Sequence, residues 1–193
     1  LKEIGSNKEI AAKKIFKIGY ILVNIMEKIN GLGYRYTDIK LENIIIDIKG
    51  MIYFVDFGSL TEEGMPTKEY TPTYNINSWK VKGKYNQDES TLFSVTMIMV
   101  ALIGRNEYNP LVFSLEQVLD QIDKFPITRK ERQFLMNGLQ GKFAKYNQYL
   151  NSLSFLLKEE KNYEGLDKID YILIVSIVSF VFVVIFGIKS ILS

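Results

Sequence analysis

The sequence predicts a mainly α fold of the α+β class, a helical lobe with a small β-hairpin that is followed by one transmembrane helix. Apolar residues recur at helical spacing in several segments, two short β-branched or aromatic runs flank a polar turn, and a long uncharged segment lies near the end. We divide the 193 residues into the lobe at 1–157, a juxtamembrane linker at 158–170, a transmembrane helix at 171–188 and a short tail at 189–193.

The first predicted element is a helix from about residue 8 to residue 29. Apolar side chains recur every three or four residues from Ile15 to Met26, which is typical of a helix with one buried face. Gly31 and Gly33 are expected to end it, because glycine stops helices readily. Residues 34–43 show neither the helical spacing of apolar residues nor the alternation of a strand, so we predict a loop there.

A β-hairpin is predicted next, with strands at 44–46 and 51–55. Both runs are β-branched or aromatic, and the turn residues Lys49 and Gly50 lie between them. Residues 59–87 are polar and contain several glycines and prolines. We therefore predict that they form an extended loop and not a packed element.

The remaining soluble elements are predicted to be helices. Residues 91–103 are nearly all apolar but too few to span a bilayer, which favours a buried core helix. A capping box, in which a Ser or Thr is followed three residues later by Glu or Gln, opens each of two further helices. These pairs are Ser114 with Gln117 and Thr128 with Glu131. A last helix is predicted at 148–157.

Residues 171–188 contain no charged side chain. At about 1.5 Å per residue they would form a helix of about 27 Å, close to the thickness of the bilayer's hydrocarbon core. Tyr171 stands where an interfacial aromatic would, and Lys189 follows the segment. We predict a single-pass C-terminal anchor in the lipid bilayer with the lobe in the cytoplasm. The alternative is a buried helix of a larger protein.

Composition excludes several kinds of chemistry. The chain has no Cys and no His, which excludes disulfides, thiolate metal sites, a Cys nucleophile and Ser-His-Asp hydrolysis. Carboxylates, lysines, amides, hydroxyls and a metal held by oxygen ligands remain, and phosphoryl transfer suits that set. The net charge of +2 arises from 24 basic and 22 acidic residues that are scattered along the chain, so no nucleic-acid partner is indicated.

Three motifs carry a family resemblance. The segment from Tyr36 to Asn43 resembles the H-R-D-L-x-x-x-N catalytic loop, and Asp56-Phe57-Gly58 follows thirteen residues after Asn43 with a predicted hairpin between them. The segment from Tyr70 to Tyr74 resembles the G-T-P-x-Y end of an activation loop. The chain therefore resembles the C-lobe of eukaryotic-like (Hanks-type) bacterial Ser/Thr protein kinases with a C-terminal membrane anchor.

The resemblance implies a role for each of these residues, beginning with the transfer itself. Asp38 would accept the proton of a protein hydroxyl, and Lys40 would neutralise charge on the transferring phosphoryl group of ATP. Asn43 and Asp56 provide hard oxygen ligands for Mg²⁺ or Mn²⁺. A simpler reading takes Asp38 and Asn43 as turn formers and Asp56 as a strand-end cap, but it leaves their joint spacing unexplained.

Three further residues are expected to shape the activation loop and position the substrate. Phe57 would be an apolar anchor, Gly58 would let the chain turn sharply, and Thr71 would contact Asp38 and Lys40. The oligomeric state is not predicted.

The sequence also departs from the family pattern. Thr37 stands in place of the Arg that reads a phosphorylated activation loop, so we expect activity that does not depend on that clamp. Residues 76–78 lack the acidic residue of A-P-E, which is expected to loosen the lobe. No G-x-G-x-x-G loop and no V-A-I-K-like lysine occur in these residues, so ATP would not be fully gripped by them alone.

These departures leave two alternatives to a protein kinase open. One is a pseudokinase-like membrane scaffold or regulator. The other is a small-molecule kinase of related fold.

Overall fold

The computed structural model describes residues 1, 10–47, 50–66, 69–81, 83 and 85–163. Residues Leu1–Leu156 form one compact unit, and Leu157–Ser193 form a second. The described helices and strands are α1 Ala12–Gly31, β1 Tyr34–Tyr36, β2 Ile44–Ile46, β3 Ile52–Phe54, β4 Leu60–Glu62, α2 Gln87–Gly104, α3 Leu115–Ile122, α4 Arg129–Leu139 and α5 Tyr146–Tyr163. Short 3-10 helices lie at Leu41–Asn43, Pro72–Tyr74 and Ile76–Trp79.

Helix α1 confirms the first predicted helix, with different ends. Its buried side chains recur at helical spacing and include Ile15, Leu22 and Met26. The helix begins at Ala12 and continues through Gly31, and the chain then turns at Gly33, whose φ of 80° suits glycine. One face of α1 packs on α2, where Gly19 leaves room for the Met99 side chain.

Two small antiparallel sheets hold the segment between α1 and α2. The predicted hairpin is confirmed as β2 paired with β3, in the register Ile45 opposite Tyr53. The second sheet pairs β1 with β4, in the register Arg35 opposite Thr61. The prediction of a loop at 34–43 was therefore wrong at its start, because a three-residue strand is too short to produce a recognisable alternation.

The prediction of an unpacked loop at 59–87 was also wrong in part. Besides β4, this segment contributes Tyr74, Ile76 and Trp79 to the core, each at most 5% exposed. Ser94 of α2 donates a hydrogen bond of 2.6 Å to the Tyr74 carbonyl, and the Trp79 indole donates one of 2.9 Å to the Thr73 carbonyl. The first bond ties the segment to α2, although the acidic residue of A-P-E is missing, and the second lies within the segment.

Helix α2 is the centre of the lobe. Every residue from Leu92 to Leu102 is buried, which confirms the predicted core helix. The helix begins at Gln87, four residues earlier than predicted, because Asn86 and Glu89 form a reciprocal capping box that starts a polar first turn.

Helices α3, α4 and α5 complete the fold. Both predicted capping boxes are present, at the start of α3 and of α4. Phe134 of α4 meets Phe16 and Tyr149 edge-on, with ring centroids 6.2 and 4.8 Å away. Helix α5 begins before the predicted start and continues to Tyr163, beyond the predicted end of the lobe at 157.

The membrane prediction falls on residues that the structure does not describe. None of the described helices combines the length and the apolar composition that a bilayer crossing requires. The predicted span at 171–188 and the tail at 189–193 lie outside the described residues, as does the linker beyond residue 163.

Candidate active site

The buried carboxylate of Asp38 is the centre of the candidate site. Asp38 lies in the link between β1 and the 3-10 helix at Leu41–Asn43, and it is 3% exposed. The Thr71 hydroxyl donates a hydrogen bond of 2.7 Å to Asp38 Oδ1, and Lys40 Nζ lies 2.5 Å from Asp38 Oδ2. Each carboxylate oxygen thus has its own partner, which fixes the orientation of the group.

The short distance to Asp38 affects Lys40 directly. The hydrogen bond with Asp38 raises the pKa of the Lys40 ammonium, and the negative charges of Asp38, Glu42 and Asp56 act in the same direction. Lys40 therefore stays positively charged through the neutral range. A cation is thus held beside the buried carboxylate of Asp38.

Asn43 links the Asp38 loop to the strand that leads to Asp56. Its side-chain amide donates a hydrogen bond of 3.1 Å to the Asp38 carbonyl, which leaves the amide oxygen for another partner. The Asn43 carbonyl accepts a hydrogen bond of 3.2 Å from the Val55 amide. Asp56 therefore follows a residue that is bonded directly to Asn43.

Tyr36 provides a second link to Asp56. Its hydroxyl donates a hydrogen bond of 2.5 Å to the Asp56 carbonyl, and its ring packs edge-on against Phe54 with centroids 5.0 Å apart. Burial raises the pKa of the Tyr36 phenol, so the hydroxyl stays protonated and remains a donor. No pattern in the sequence predicted this hydrogen bond.

Asp56, Phe57 and Gly58 lie at the surface of the lobe. Asp56 Oδ1 accepts a hydrogen bond of 2.8 Å from the Gly58 amide, at the start of a turn that the Leu60 amide closes on the Phe57 carbonyl at 3.0 Å. Gly58 thus lies in the predicted turn. Phe57 was expected to be an apolar anchor. It is 62% exposed, and its ring centroid lies 6.5 Å from that of Tyr36, so it does not anchor this segment within the described residues.

Thr37 forms an uncharged contact with the segment that resembles an activation loop, where an Arg was expected by resemblance. Its amide donates to the Ser59 carbonyl at 3.2 Å. Its hydroxyl lies 3.0 Å from the same carbonyl and 3.2 Å from the Glu69 carbonyl. One hydroxyl has one hydrogen, so the two carbonyls share or alternate this donor. Both contacts are to the backbone and require no phosphate.

The side-chain oxygens of Asn43 and Asp56 fit a magnesium site with few protein ligands. No group of three or more acidic, His or Cys side chains that suits a metal occurs in the described part of the chain. Mg²⁺ is commonly held by one or two protein oxygens together with water and substrate phosphates. The exposed carboxylate of Asp56 and the amide oxygen of Asn43, whose backbone is bonded to the residue before Asp56, are oxygen ligands of that kind.

The structure brings most of the predicted site residues together. An ion pair and two hydrogen bonds connect Asp38 with Lys40, Asn43 and Thr71, and Asp56 joins them through its backbone and its charge. Phe57 and Gly58 follow Asp56 on the exposed turn. Sequence reasoning missed the hydrogen bonds of Tyr36 and Thr37, because each depends on a chain crossing that no local pattern reports.

Comparison with known proteins finds kinases. Serine/threonine-protein kinase YabT from Bacillus subtilis (strain 168) is 27% identical over 123 residues, which are 63% of this chain and 36% of that protein. Serine/threonine-protein kinase 1 of African swine fever virus (isolate Pig/Kenya/KEN-50/1950) is 34% identical over 143 residues, or 68% of this chain and 44% of the viral protein. The chain thus spans less than half the length of these relatives. No family model matches it.

A solved structure agrees at the level of the fold. The kinase PK-1 of Cydia pomonella granulovirus superposes with a TM-score of 0.54 at 18% identity, covering 72% of this chain and 57% of that chain. This chain therefore has a kinase-like fold, mainly helical with small sheets, and its relatives in sequence are Ser/Thr kinases.

Proposed function

We propose that this chain provides the catalytic lobe of a protein serine/threonine kinase, which transfers the γ-phosphoryl group of ATP to a protein hydroxyl. The observation that carries the proposal is the Asp38 carboxylate, buried and held between the Thr71 hydroxyl and the Lys40 ammonium. A group that only formed a turn would not need a side-chain partner that lies 33 residues further along the chain, as Thr71 does.

Asp38 is the proposed acceptor of the substrate proton. Each carboxylate oxygen has two lone-pair sites, so the bonds to Thr71 and Lys40 leave one further acceptor site on each oxygen. The incoming Ser or Thr hydroxyl would donate there, which aims its oxygen at the phosphorus atom. Thr71 and Lys40 would keep the carboxylate from rotating during transfer.

Lys40 is proposed to stabilise negative charge on the phosphoryl group. Its ammonium already contacts Asp38, and its raised pKa keeps it charged. A fixed cation close to developing charge lowers the barrier without any reorganisation during the step.

ATP and its magnesium ion would bind on the side of Asn43 and Asp56. These residues would hold Mg²⁺, which supplies charge neutralisation for the phosphates when it is bound. Beside them, the cross-strand partners Ile45 and Tyr53 are 48% and 49% exposed, and Val55 is 52% exposed. An exposed apolar face next to oxygen ligands is a suitable surface for a nucleobase.

The decisive experiment compares phosphate incorporation from Mg²⁺-ATP by the full-length protein and its Asp38→Asn variant. Asp120→Asn is the matched control, because Asp120 is exposed on α3 and outside the site. We expect incorporation by the wild type and the control and at least a hundredfold loss in Asp38→Asn. Equal incorporation in all three would refute the role of Asp38. A wild-type protein that incorporates no phosphate would favour the scaffold alternative.

The membrane anchor remains a prediction from the sequence of residues 171–188. We propose that the protein partitions with the membrane fraction and that truncation after Leu166 releases it. A truncated protein that still sediments with membranes would show that another part of the protein holds it there.

A further inference from the structure

A groove of about 650 Å³ lies between residues 78–81 and the start of α3. Residues 78–81 follow the segment that resembles an activation loop, and the two together are called the activation segment below. Trp79 and Lys80 contribute to one wall, and Leu111, Val112 and Glu116 contribute to the other. The groove is separate from the site around Asp38 and from the exposed apolar face of the β2–β3 hairpin.

The groove connects with the candidate active site through two hydrogen bonds. The Trp79 indole in its wall donates to the Thr73 carbonyl at 2.9 Å. Two residues earlier, the Thr71 hydroxyl donates to Asp38 at 2.7 Å. A molecule seated in the groove therefore contacts the same segment that orients the proposed base.

The rim of the groove presents two apolar side chains to solvent. Leu111 is 91% exposed and Val112 is 71% exposed. Hydrogen bonds to Asn109 hold the backbone of both residues. The Asn109 side chain accepts one of 2.9 Å from the Leu111 amide, and the Asn109 carbonyl accepts one of 2.9 Å from the Val112 amide. Adjacent apolar residues that are exposed and held in a bonded turn need little further ordering to bind a partner.

Lys80 adds a positive charge on the side of the activation segment. It is exposed and has a φ of 52°, a left-handed conformation that glycine adopts at lower cost. A lysine at such a position places a charged side chain beside Trp79 and the groove, where glycine would place none. The opposite wall carries the carboxylate of Glu116.

We propose that this groove docks the protein substrate through a segment in which apolar side chains are followed by an acidic residue. The apolar side chains would contact Leu111 and Val112, and the acidic residue would meet Lys80. The inference rests on the proposed kinase function only in naming the occupant as substrate, because the docking itself requires no phosphoryl transfer.

The single tryptophan of the chain gives a direct measurement of docking. The test peptide has 15 residues, no tryptophan, one Ser and a Leu-Leu-Asp-Asp segment. Because Trp79 lines the groove, binding of this peptide should change the fluorescence of Trp79, and the change should saturate as the peptide concentration rises. Peptides with alanines for the leucines, or lysines for the aspartates, should bind about tenfold more weakly, a common loss for a central contact. Equal titration curves for the three peptides would overturn the proposal.

Surface variants of the full-length protein test the same contacts from the other side. Leu111→Ser combined with Val112→Ser should weaken the first peptide about tenfold. Leu32→Ser is the matched control, because Leu32 is 76% exposed at the end of α1. Lys80→Glu should weaken the same peptide, whereas Lys124→Glu, at an exposed lysine outside the groove, should not. Unchanged binding in the groove variants would refute the assignment.

A phosphorylation measurement separates this inference from the proposed function. The double variant at Leu111 and Val112 should raise KM for the 15-residue peptide and leave KM unchanged for a six-residue Ser peptide without the Leu-Leu-Asp-Asp segment. Fluorescence binding without phosphorylation would leave docking intact and refute the kinase function. Phosphorylation with identical KM values for variant and wild type would retain the kinase and refute docking.

Discussion

Thr71→Val tests whether the hydrogen bond to Asp38 orients the proposed base. Valine keeps the branched shape of threonine but removes the hydroxyl that lies 2.7 Å from Asp38 Oδ1. A hydrogen bond to a charged group contributes about 1.5–3 kcal/mol, and Asp38 is 3% exposed, so water has little access to replace it. Lys40 would remain the other side-chain partner of the carboxylate.

The expected result is a loss that appears in two measurements. Urea unfolding should show a free energy of unfolding lower by about 1.5–3 kcal/mol, and kcat should fall about 10- to 150-fold if the same energy is lost in the transition state. Thr71→Ser keeps the hydroxyl and serves as the control. If Thr71→Val unfolds at the same urea concentration as Thr71→Ser and retains its kcat, the hydrogen bond does not position Asp38.

Three further predictions concern other parts of the lobe. Tyr36→Phe keeps the ring but removes the donor to the Asp56 carbonyl; it should lower the free energy of unfolding by about 1 kcal/mol and weaken Mg²⁺-ATP binding, both measurable by thermal shift. Gly138→Ala would place a methyl group against the buried Thr96 side chain, so circular dichroism should show destabilisation by about 1–3 kcal/mol. Burial raises the pKa of Tyr149 in the folded state, whereas an unfolded tyrosine titrates near pH 10, so stability should fall as pH rises above about 10. Tyr149→Phe should flatten that loss in urea titrations at high pH, and an unchanged slope would contradict the assignment.

Local signals explain why much of the fold was predictable. The capping boxes at Ser114 and Thr128 need only four consecutive residues, and both helices begin where these boxes predict. The hairpin followed from two β-branched runs and a turn. The nearly all apolar composition of 91–103 indicated a buried core helix, and the structure buries every residue from Leu92 to Leu102.

The errors occurred where distant segments decide the structure. Strands β1 and β4 have three residues each, and each exists because the other pairs with it across more than twenty residues of chain. Tyr74 and Trp79 lie in a polar segment that looked exposed, yet they pack on α2. Binary patterning cannot report single buried aromatics between polar neighbours.

The candidate site was predictable in its residues but not in its connections. The motif spacing brought Asp38, Asn43 and Asp56 into consideration together. The hydroxyl of Tyr36 at the Asp56 carbonyl, and that of Thr37 at two activation-loop carbonyls, had no counterpart in the motif. Their roles depend on backbone acceptors, whose positions only the folded chain determines.

The all-round burial of α2 has a consequence for how the lobe is assembled. A helix with no polar face cannot be shielded by one neighbour, so it needs α1 on one side and the later helices on the others. Thr96 reaches its partner Tyr149 only after fifty-three further residues have been synthesised. Until α5 emerges from the ribosome, the side of α2 that faces Tyr149 is therefore exposed, and a nascent chain at this stage is a target for chaperones.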